Sequence, residues 1–277
     1  MAGLRIWPRT AALAVVLASG VAHGAGGVCE RIVITGNPDY PPLLWVNPDD
    51  PGRLVGAAVE LLEKALEPAG IHVDALNVGG WSQAQQEVRS GRVDVLAGAF
   101  LTPERLGEMD YVYPPFMEIP SVVFVRRGEA FPYSGWDDLR SRRGVSLSGS
   151  SFGAAFDTYA ADHLELRSVP GIEQAFSLLL DGQVDYLIHE RHQGLALAAQ
   201  RNVLDQLDIL EGSLINEQLH YGISHHSACN SPTLRAALAR GLYDLVRQGE
   251  PRRLLERYRD LWAGQFAPAP EAEPPLE

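Results

Sequence analysis

The hexapeptide GRVDVL (Gly91–Leu96) has an echo later in the chain, GQVDYL (Gly182–Leu187). In each copy a glycine follows a segment with helical spacing of apolar residues and precedes an apolar run typical of a strand. A glycine between a helix and a strand is common in any α/β protein, so the echo alone does not establish a duplication. It favours a chain with two lobes built on one plan.

The segments around the first copy alternate in the same way. Strands are predicted over Arg31–Thr35, Ile71–Val78 and Val93–Ala97. A helix is predicted over Ala57–Ala69, and Ser82 can cap a second helix that runs to the first glycine of the echo. This alternation predicts α/β lobes with largely parallel sheets.

Ligands of open α/β sheets bind outside the carboxyl ends of the strands, so residues that follow each copy are candidate binding residues. Ala99 and Phe100 follow the first copy, and Glu190 follows the second. Val122–Val125 and Leu219–Ile223 are further strand candidates, and both are candidates for connections between the lobes.

The first residues have the features of a secretory signal peptide. Arg5 and Arg9 precede an apolar run, Ala11–Ala18, and small residues follow it, so cleavage is expected before Ala25. An uncleaved membrane anchor is the alternative, but the run is short for a bilayer. The predicted location is the periplasm. Residues 267–277 are rich in Pro, Ala and Glu and are predicted to be disordered.

Composition limits the class of partner. About 250 residues remain after cleavage, which is enough for two lobes with separate cores. The formal net charge is −12, and removal of Arg5 and Arg9 makes it about −14. Such acidity disfavours nucleic acid and anionic membranes as partners, but it is compatible with a local basic pocket for a small acid.

The chain has two cysteines, Cys29 and Cys229. In an oxidising compartment they are predicted to form one structural disulfide, and two unpaired thiols are the alternative. Neither has the nearby partner of a redox or zinc motif, and no cofactor is predicted.

Two segments of the first half carry side chains suited to a small acid. Tyr40 follows the first strand, and the prolines after it stiffen the loop, which lowers the cost of ordering it around a ligand. Thr102 before Pro103 predicts a helix start with Arg105 in its first turn. A guanidinium there can hold a carboxylate through two parallel hydrogen bonds.

Both segments have structural alternatives. In the structural alternative, Tyr40 is a packed residue of a surface turn. Arg105 would likewise be a solvated arginine that pairs with Glu108 or Asp110.

The second half offers its own candidates. Gly149-Ser150-Ser151 follows the predicted strand Val145–Leu147, and hydroxyls and N–H groups at a helix N-terminus can bind an anion, although a plain turn is the alternative. Glu190 can accept a hydrogen bond from an ammonium. His189 and His192 flank it without the spacing of a metal motif, so no metal site is predicted.

Taken in order, these segments resemble the family 3 extracellular solute-binding proteins, the polar amino-acid binders of ABC importers. The resemblance covers about Ile32 to Trp262 and rests on Asp39–Pro42, Leu54–Gly56, Trp81, Gly91–Asp94, Thr102–Arg105, Gly149–Ser151, Val184–Asp185 and Tyr221–Ile223. It implies an α/β, bilobal periplasmic-binding-protein (Venus flytrap) fold with a two-stranded hinge. The expected boundaries are 1–24 for the signal peptide, 25–121 and 218–266 for the first lobe, 122–217 for the second lobe and 267–277 for the tail.

The resemblance also implies roles for single residues. Tyr40 would pack on the ligand, Arg105 would hold its α-carboxylate, Ser151 would join that carboxylate from the second lobe, and Glu190 would hold the α-ammonium. The predicted ligand-binding set is completed by Trp81, Ala99, Phe100, Leu147 and Ser150.

Several positions depart from the family pattern. Phe100 replaces a common Ser or Thr, Ala57 and Ala58 replace a Phe and an acid, and Leu43 and Leu44 replace Phe-Glu. Glu190 is longer than the Asp that is usual at its position in the family. Phe100 and Glu190 are therefore expected to take up cleft volume and to disfavour a large polar amino acid.

The expected function is therefore non-catalytic. A monomeric periplasmic protein would capture a small carboxylate ligand, an amino acid or a derivative, for the permease of an ABC importer. One alternative is a sensor input protein for a membrane kinase. Another is an enzyme similar to the cyclohexadienyl dehydratases of the same fold, which eliminate water and carbon dioxide from prephenate or arogenate, with Glu190, His189 or His192 as acid or base.

Overall fold

The computed structural model of the protein describes residues 29–266. The predicted signal peptide and the predicted disordered tail lie outside the described residues. Within the described range, no helix combines the length and the apolar character needed to cross a membrane.

Between residues 29 and 266 the chain forms thirteen strands and eight α-helices. The strands are β1 (Arg31–Gly36), β2 (Asp39–Tyr40), β3 (Leu44–Asn47), β4 (Asp50–Val55), β5 (His72–Ala75), β6 (Val95–Phe100), β7 (Met109–Tyr111), β8 (Met117–Arg126), β9 (Arg143–Leu147), β10 (Glu165–Val169), β11 (Tyr186–Glu190), β12 (Leu207–Ile209) and β13 (Ile215–Ser224). The helices are α1 (Ala57–Leu66), α2 (Trp81–Arg89), α3 (Pro103–Leu106), α4 (Ala154–His163), α5 (Ile172–Leu180), α6 (Arg191–Gln200), α7 (Pro232–Arg247) and α8 (Glu250–Gly264).

The first lobe is built on the strand order β5-β1-β6-β13. Strand β1 is parallel to both β5 and β6, and Ile34 lies opposite Ala75 on one side and Val95 on the other. Strand β13 is antiparallel to β6. Apolar residues of this sheet and of α1, α7 and α8 form one buried cluster, so the first lobe has a core of its own.

The second lobe is built on the order β8-β11-β9-β10. Strand β9 is parallel to β10 and β11, whereas β8 is antiparallel to β11, and β12 is antiparallel to β8. Two buried clusters lie on the faces of this sheet, one with Phe124 and Phe176 and the other with Phe156 and Tyr186. The parallel strands with helices between them confirm the α/β prediction.

Two long strands connect the lobes. Residues Met117–Ser121 of β8 pair antiparallel with Ile215–Leu219 of β13, and each strand then continues into the sheet of a different lobe. The predicted segments, Val122–Val125 and Leu219–Ile223, belong to these strands, but apart from Leu219 they lie beyond the paired connection. The fold is bilobal with a two-stranded hinge.

Some predicted boundaries were wrong for local reasons. The helix predicted to run to Ala69 ends at Leu66 and continues as a 3-10 turn, because Pro68 has no N–H for the helical ladder. Gly80, not Ser82, is the N-cap of α2, and Ser82 lies inside the helix.

A disulfide joins Cys29 and Cys229, whose Cα atoms are 5.6 Å apart. It links the residue two positions before β1 to the segment before α7. The bridge closes a loop with a sequence separation of 200 residues, so it removes a large amount of conformational freedom from the unfolded chain.

Candidate functional site

A cleft of about 450 Å³ lies between the lobes, at the carboxyl ends of β1, β6, β9 and β11. Its walls include most of the residues predicted from the sequence, namely Tyr40, Trp81, Phe100, Arg105, Leu147, Ser150, Ser151 and Glu190. The structure therefore brings these eight residues to one place.

Ala99 is the predicted residue that does not line the cleft. It is fully buried in a cluster with Ala84, Val88 and Met109 behind β6. The register of β6 against β13 shifts at Gly98, which has a φ of 77° and acts as a β-bulge. The extra residue reverses the alternation of side chains, so Ala99 points away and Gly98 lines the cleft instead.

Arg105 is held in the cleft by groups that leave part of its guanidinium available. The Thr102 side chain accepts a hydrogen bond from the Arg105 backbone N–H at 3.3 Å and so caps α3, as the sequence predicts. The Arg105 side chain donates from Nε to Gln85 Oε1 at 3.2 Å and from Nη1 to the Phe100 carbonyl at 3.0 Å. Its guanidinium carbon lies 5.2 Å from the centre of the Trp81 ring, within cation–π range.

The neighbouring acids are paired with other arginines. Glu108 bonds Arg89 at 2.6 Å, and Asp110 bonds Arg235 at 3.2 Å. Among residues 29–266, no carboxylate lies within ion-pair distance of Arg105. The solvated ion pair with Glu108 or Asp110 is therefore absent, and Arg105 lines the cleft without a carboxylate partner among the described residues.

Glu190 faces the cleft from the second lobe, at the end of β11 and the start of α6. The Tyr40 hydroxyl of the first lobe donates a hydrogen bond to its carboxylate. Burial raises the pKa of Glu190 to about 7, and the hydrogen bond from Tyr40 acts in the opposite direction. Burial, followed by the charge of Glu190, also raises the pKa of Tyr40. Glu190 can therefore exist in both protonation states near neutral pH.

A second bond crosses the cleft beside the first. Gln193, one turn into α6, donates its amide N–H to the carbonyl of Asp39. His189, the residue before Glu190, is 4% exposed, and its Nε2 has no hydrogen-bond partner among the described residues. Burial lowers the pKa of His189 to about 4, so the imidazole is neutral at physiological pH.

The serine turn of the second lobe is engaged by a carboxylate of the chain itself. Ser151 Oγ donates to Asp157 Oδ2 at 2.5 Å, and the Phe152 N–H donates to Asp157 Oδ1 at 2.9 Å. Asp157 lies in the first turn of α4, where a negative charge interacts favourably with the helix dipole. The predicted anion site at this helix start is thus partly satisfied internally.

Several cleft residues were not predicted from the sequence. Besides Gly98, they include Asn37, Gln193, Trp262 and the ion pair of Glu173 with Arg201, whereas His189 is a candidate only in the enzyme alternative. Gln193 could have been found from its position three residues after Glu190, on the same face of a helix that begins there. Trp262 lies too far along the chain for any local pattern to place it.

A larger cavity of about 930 Å³ shares Trp262 with the cleft and lies between α6, α8 and the start of β8. Its walls are mainly apolar, and none of the predicted binding residues lines it. Within the part of the chain that the structure describes, no group of three or more His, Cys, Asp or Glu side chains could hold a metal ion. The cleft is therefore the site that combines a cavity with convergent polar groups.

Comparisons with known proteins agree with this architecture. Residues 32–260 match the family model of the bacterial extracellular solute-binding proteins, family 3. No curated protein sequence matches the chain.

Three solved structures illustrate the similarity. A histidine kinase sensor domain with similarity to periplasmic binding proteins has 26% identity and a TM-score of 0.67, with 86% of this chain and 97% of that chain covered. An amino acid ABC transporter substrate-binding protein from Streptococcus pneumoniae, bound to L-arginine, has 21% identity and a TM-score of 0.66, with 84% and 96% covered. A mutant of ArgBP from T. maritima has 19% identity and a TM-score of 0.64, with 83% and 96% covered.

The last two likenesses support the fold alone, whereas the family match spans both lobes and the cleft between them. The chain belongs to the family 3 bacterial extracellular solute-binding proteins.

Proposed function

We propose that the protein captures a small carboxylate ligand, an amino acid or a derivative, in the periplasm and delivers it to the permease of an ABC importer. The observation that carries the proposal is the guanidinium of Arg105, which lines the cleft without a carboxylate partner among the described residues. A planar guanidinium with free N–H groups is suited to a carboxylate.

The opposite wall supports a zwitterion. Glu190 is an acceptor on the second lobe, and an ammonium that replaced the Tyr40 hydroxyl would favour its ionised form. A ligand with a carboxylate at one end and an ammonium at the other would then hold the lobes together. Ligand-driven closure about a hinge is a common response of such two-lobed proteins.

Delivery to an importer is supported by the family and by the similarity to the S. pneumoniae protein, which is an amino acid ABC transporter substrate-binding protein. Export to the periplasm is supported by the N-terminal sequence pattern. We propose a monomer, a first lobe of residues 25–121 and 218–266, and a second lobe of residues 122–217.

The test is a thermal-shift screen of the protein against amino acids, opines and small carboxylates, repeated with Arg105→Ala. A ligand at 100 times its Kd should add about 2.7 kcal/mol of stability. Arg89→Ala is the matched control, because Arg89 is an exposed arginine that pairs with Glu108 outside the cleft. A ligand that stabilises wild type and Arg105→Ala equally would refute the carboxylate assignment.

An enzyme is the second candidate, and the raised pKa of Glu190 favours it. A carboxylic acid that stays protonated near neutral pH can act as a general acid. On prephenate, Glu190 would protonate the leaving ring hydroxyl, which departs as water, while the ring carboxylate leaves as carbon dioxide and its bonding electrons complete the aromatic ring. Formation of phenylpyruvate by wild type, and its loss in Glu190→Gln, would establish this candidate over transport.

A sensor role shares the binding site and differs in the partner. It is favoured by the similarity to a histidine kinase sensor domain. Pull-down of a kinase ectodomain by the ligand-loaded protein, and not by the empty protein, would distinguish it from delivery to a permease.

A further inference from the structure

We infer that Asp157 is a positioning residue that fixes the Ser151 hydroxyl as an acceptor toward the cleft, so that the second lobe selects a hydrogen-bond donor of the ligand and leaves the carboxylate to Arg105. The inference rests on the proposed function and defines the ligand class of the same site more narrowly.

The hydrogen bonds around Ser151 determine what its hydroxyl can still do. Its one proton is donated to Asp157 Oδ2 at 2.5 Å. One of its two lone pairs accepts the Gly153 N–H at 3.3 Å. A hydroxyl has one proton and two lone pairs, so one lone pair remains for a ligand.

Asp157 is well suited to hold this arrangement. It is half-buried in the first turn of α4, and its second oxygen accepts the Phe152 N–H at 2.9 Å. An ionised carboxylate offers acceptors only, so it can bond Ser151 in one direction, as the acceptor of the serine proton. The two bonds fix both the loop and the direction of the hydroxyl.

The consequence is a separation of roles between the lobes. Arg105 presents N–H donors from the first lobe, whereas Ser151 presents its remaining lone pair and ionised Glu190 presents acceptor oxygens from the second. The ligand class that fits is a carboxylate with an ammonium, amide or hydroxyl facing the second lobe. This differs from the role that the family resemblance implies for Ser151, which is to join Arg105 on the carboxylate.

Replacement of Asp157 by asparagine should reverse the hydroxyl. The asparagine amide can donate to Ser151 Oγ while its oxygen still accepts the Phe152 N–H, so the loop keeps its cap. The Ser151 proton is then free to bind a carboxylate. Acetate is a suitable probe, because it has a carboxylate and no donor group.

The experiment is an NMR titration with sodium acetate, matched to sodium chloride for ionic strength, on four proteins: wild type, Asp157→Asn, Ser151→Ala and the double variant. We expect Asp157→Asn to tighten acetate binding at least fivefold where Ser151 is present and less than twofold where it is alanine. Asp162→Asn removes the same charge from an exposed position of α4 and should leave acetate affinity unchanged. Melting curves without acetate check that the turn stays folded.

Two results would overturn the inference: an Asp157→Asn variant that binds acetate no better than wild type, or a gain that persists without the Ser151 hydroxyl. Acetate affinity that does not depend on Arg105, tested with Arg105→Ala, would instead refute the proposed function and the inference with it. The Asp157 and Ser151 variants test the inference, whereas Arg105→Ala tests the proposed function, so the two outcomes can be distinguished.

Discussion

Replacement of Glu190 by glutamine should change how the stability of the empty protein depends on pH. Burial raises the pKa of the Glu190 carboxyl from 4.5 to about 7. Below pH 4.5 this carboxyl is protonated in both the folded and the unfolded chain. Between these two pKa values it is protonated only in the folded chain, so its contribution to stability is present at acidic pH and is lost as the pH rises through about 7.

The magnitude follows from the two pKa values. One pKa unit corresponds to about 1.4 kcal/mol, so ionisation of Glu190 at alkaline pH should cost the fold on the order of 3 kcal/mol. Glutamine keeps the shape and cannot ionise. The stability of Glu190→Gln relative to wild type should therefore increase by about 2–3 kcal/mol between pH 5 and pH 8.

The assay is urea unfolding at pH 5, 6, 7 and 8, with Glu211→Gln as a control at an exposed position of the second lobe. Comparison of variants is needed because His189 has the opposite effect. Its pKa is lowered from 6.5 to about 4, so its contribution to stability is lost as the pH falls through this interval. A stability difference between Glu190→Gln and wild type that stays constant with pH would show that burial does not raise the pKa of Glu190.

Three further substitutions test the framework around the site by urea unfolding. Cys229→Ser removes the bridge to Cys29 and should lower the free energy of unfolding by about 2–5 kcal/mol. A similar loss in reduced wild type, compared with oxidised wild type, would confirm that the bridge is the cause. Gly144→Ala would place a methyl group against the fully buried Tyr186 ring and should cost about 1–3 kcal/mol, and an unchanged stability would contradict this packing. Trp262→Phe removes the 3.3 Å hydrogen bond from the indole N–H to an α6 carbonyl and should lower the free energy of unfolding by about 1 kcal/mol. An unchanged stability would show that α8 does not connect the lobes through this bond.

Much of the first lobe's contribution to the cleft follows from local sequence. Thr102 before Pro103 predicts the cap of α3, and the cap places Arg105 in the first turn. The echo at Gly91 and Gly182 predicts helix-to-strand junctions, and both glycines have positive φ values there. Because these features depend on a few adjacent residues, they can be predicted from the sequence without knowledge of the fold.

The side-chain directions beyond the echo depend on pairing with a distant strand. Gly98 in the interior of an apolar run signals a possible bulge, but the register against β13 decides that it is one. Without the bulge, Ala99 would keep the side of β6 that Ala97 occupies. The prediction for Ala99 therefore had the right segment of the chain and the wrong side of the strand.

In the second lobe, the role of the serine turn depends on one acidic residue, Asp157, which lies in the helix that follows the turn. The Gly149-Ser150-Ser151 sequence is compatible with ligand binding and with internal capping. Asp157 makes them compatible, because it accepts the Ser151 and Phe152 donors while one lone pair of Ser151 remains for a ligand. The spacing of the residues does not predict which oxygen atom accepts the hydrogen bond from the Ser151 hydroxyl.

Arg105 is the proposed anchor for the carboxylate of the ligand. The decisive measurement is isothermal titration calorimetry on Arg105→Ala with the ligand that gives the largest thermal shift in the screen. Loss of a hydrogen-bonded partner for a partly desolvated carboxylate should weaken binding by about 2–5 kcal/mol, more than tenfold in Kd. The melting temperature of the empty variant should change little, because Arg105 is half-exposed and has no ion-pair partner among the described residues. An affinity within threefold of wild type would contradict the account.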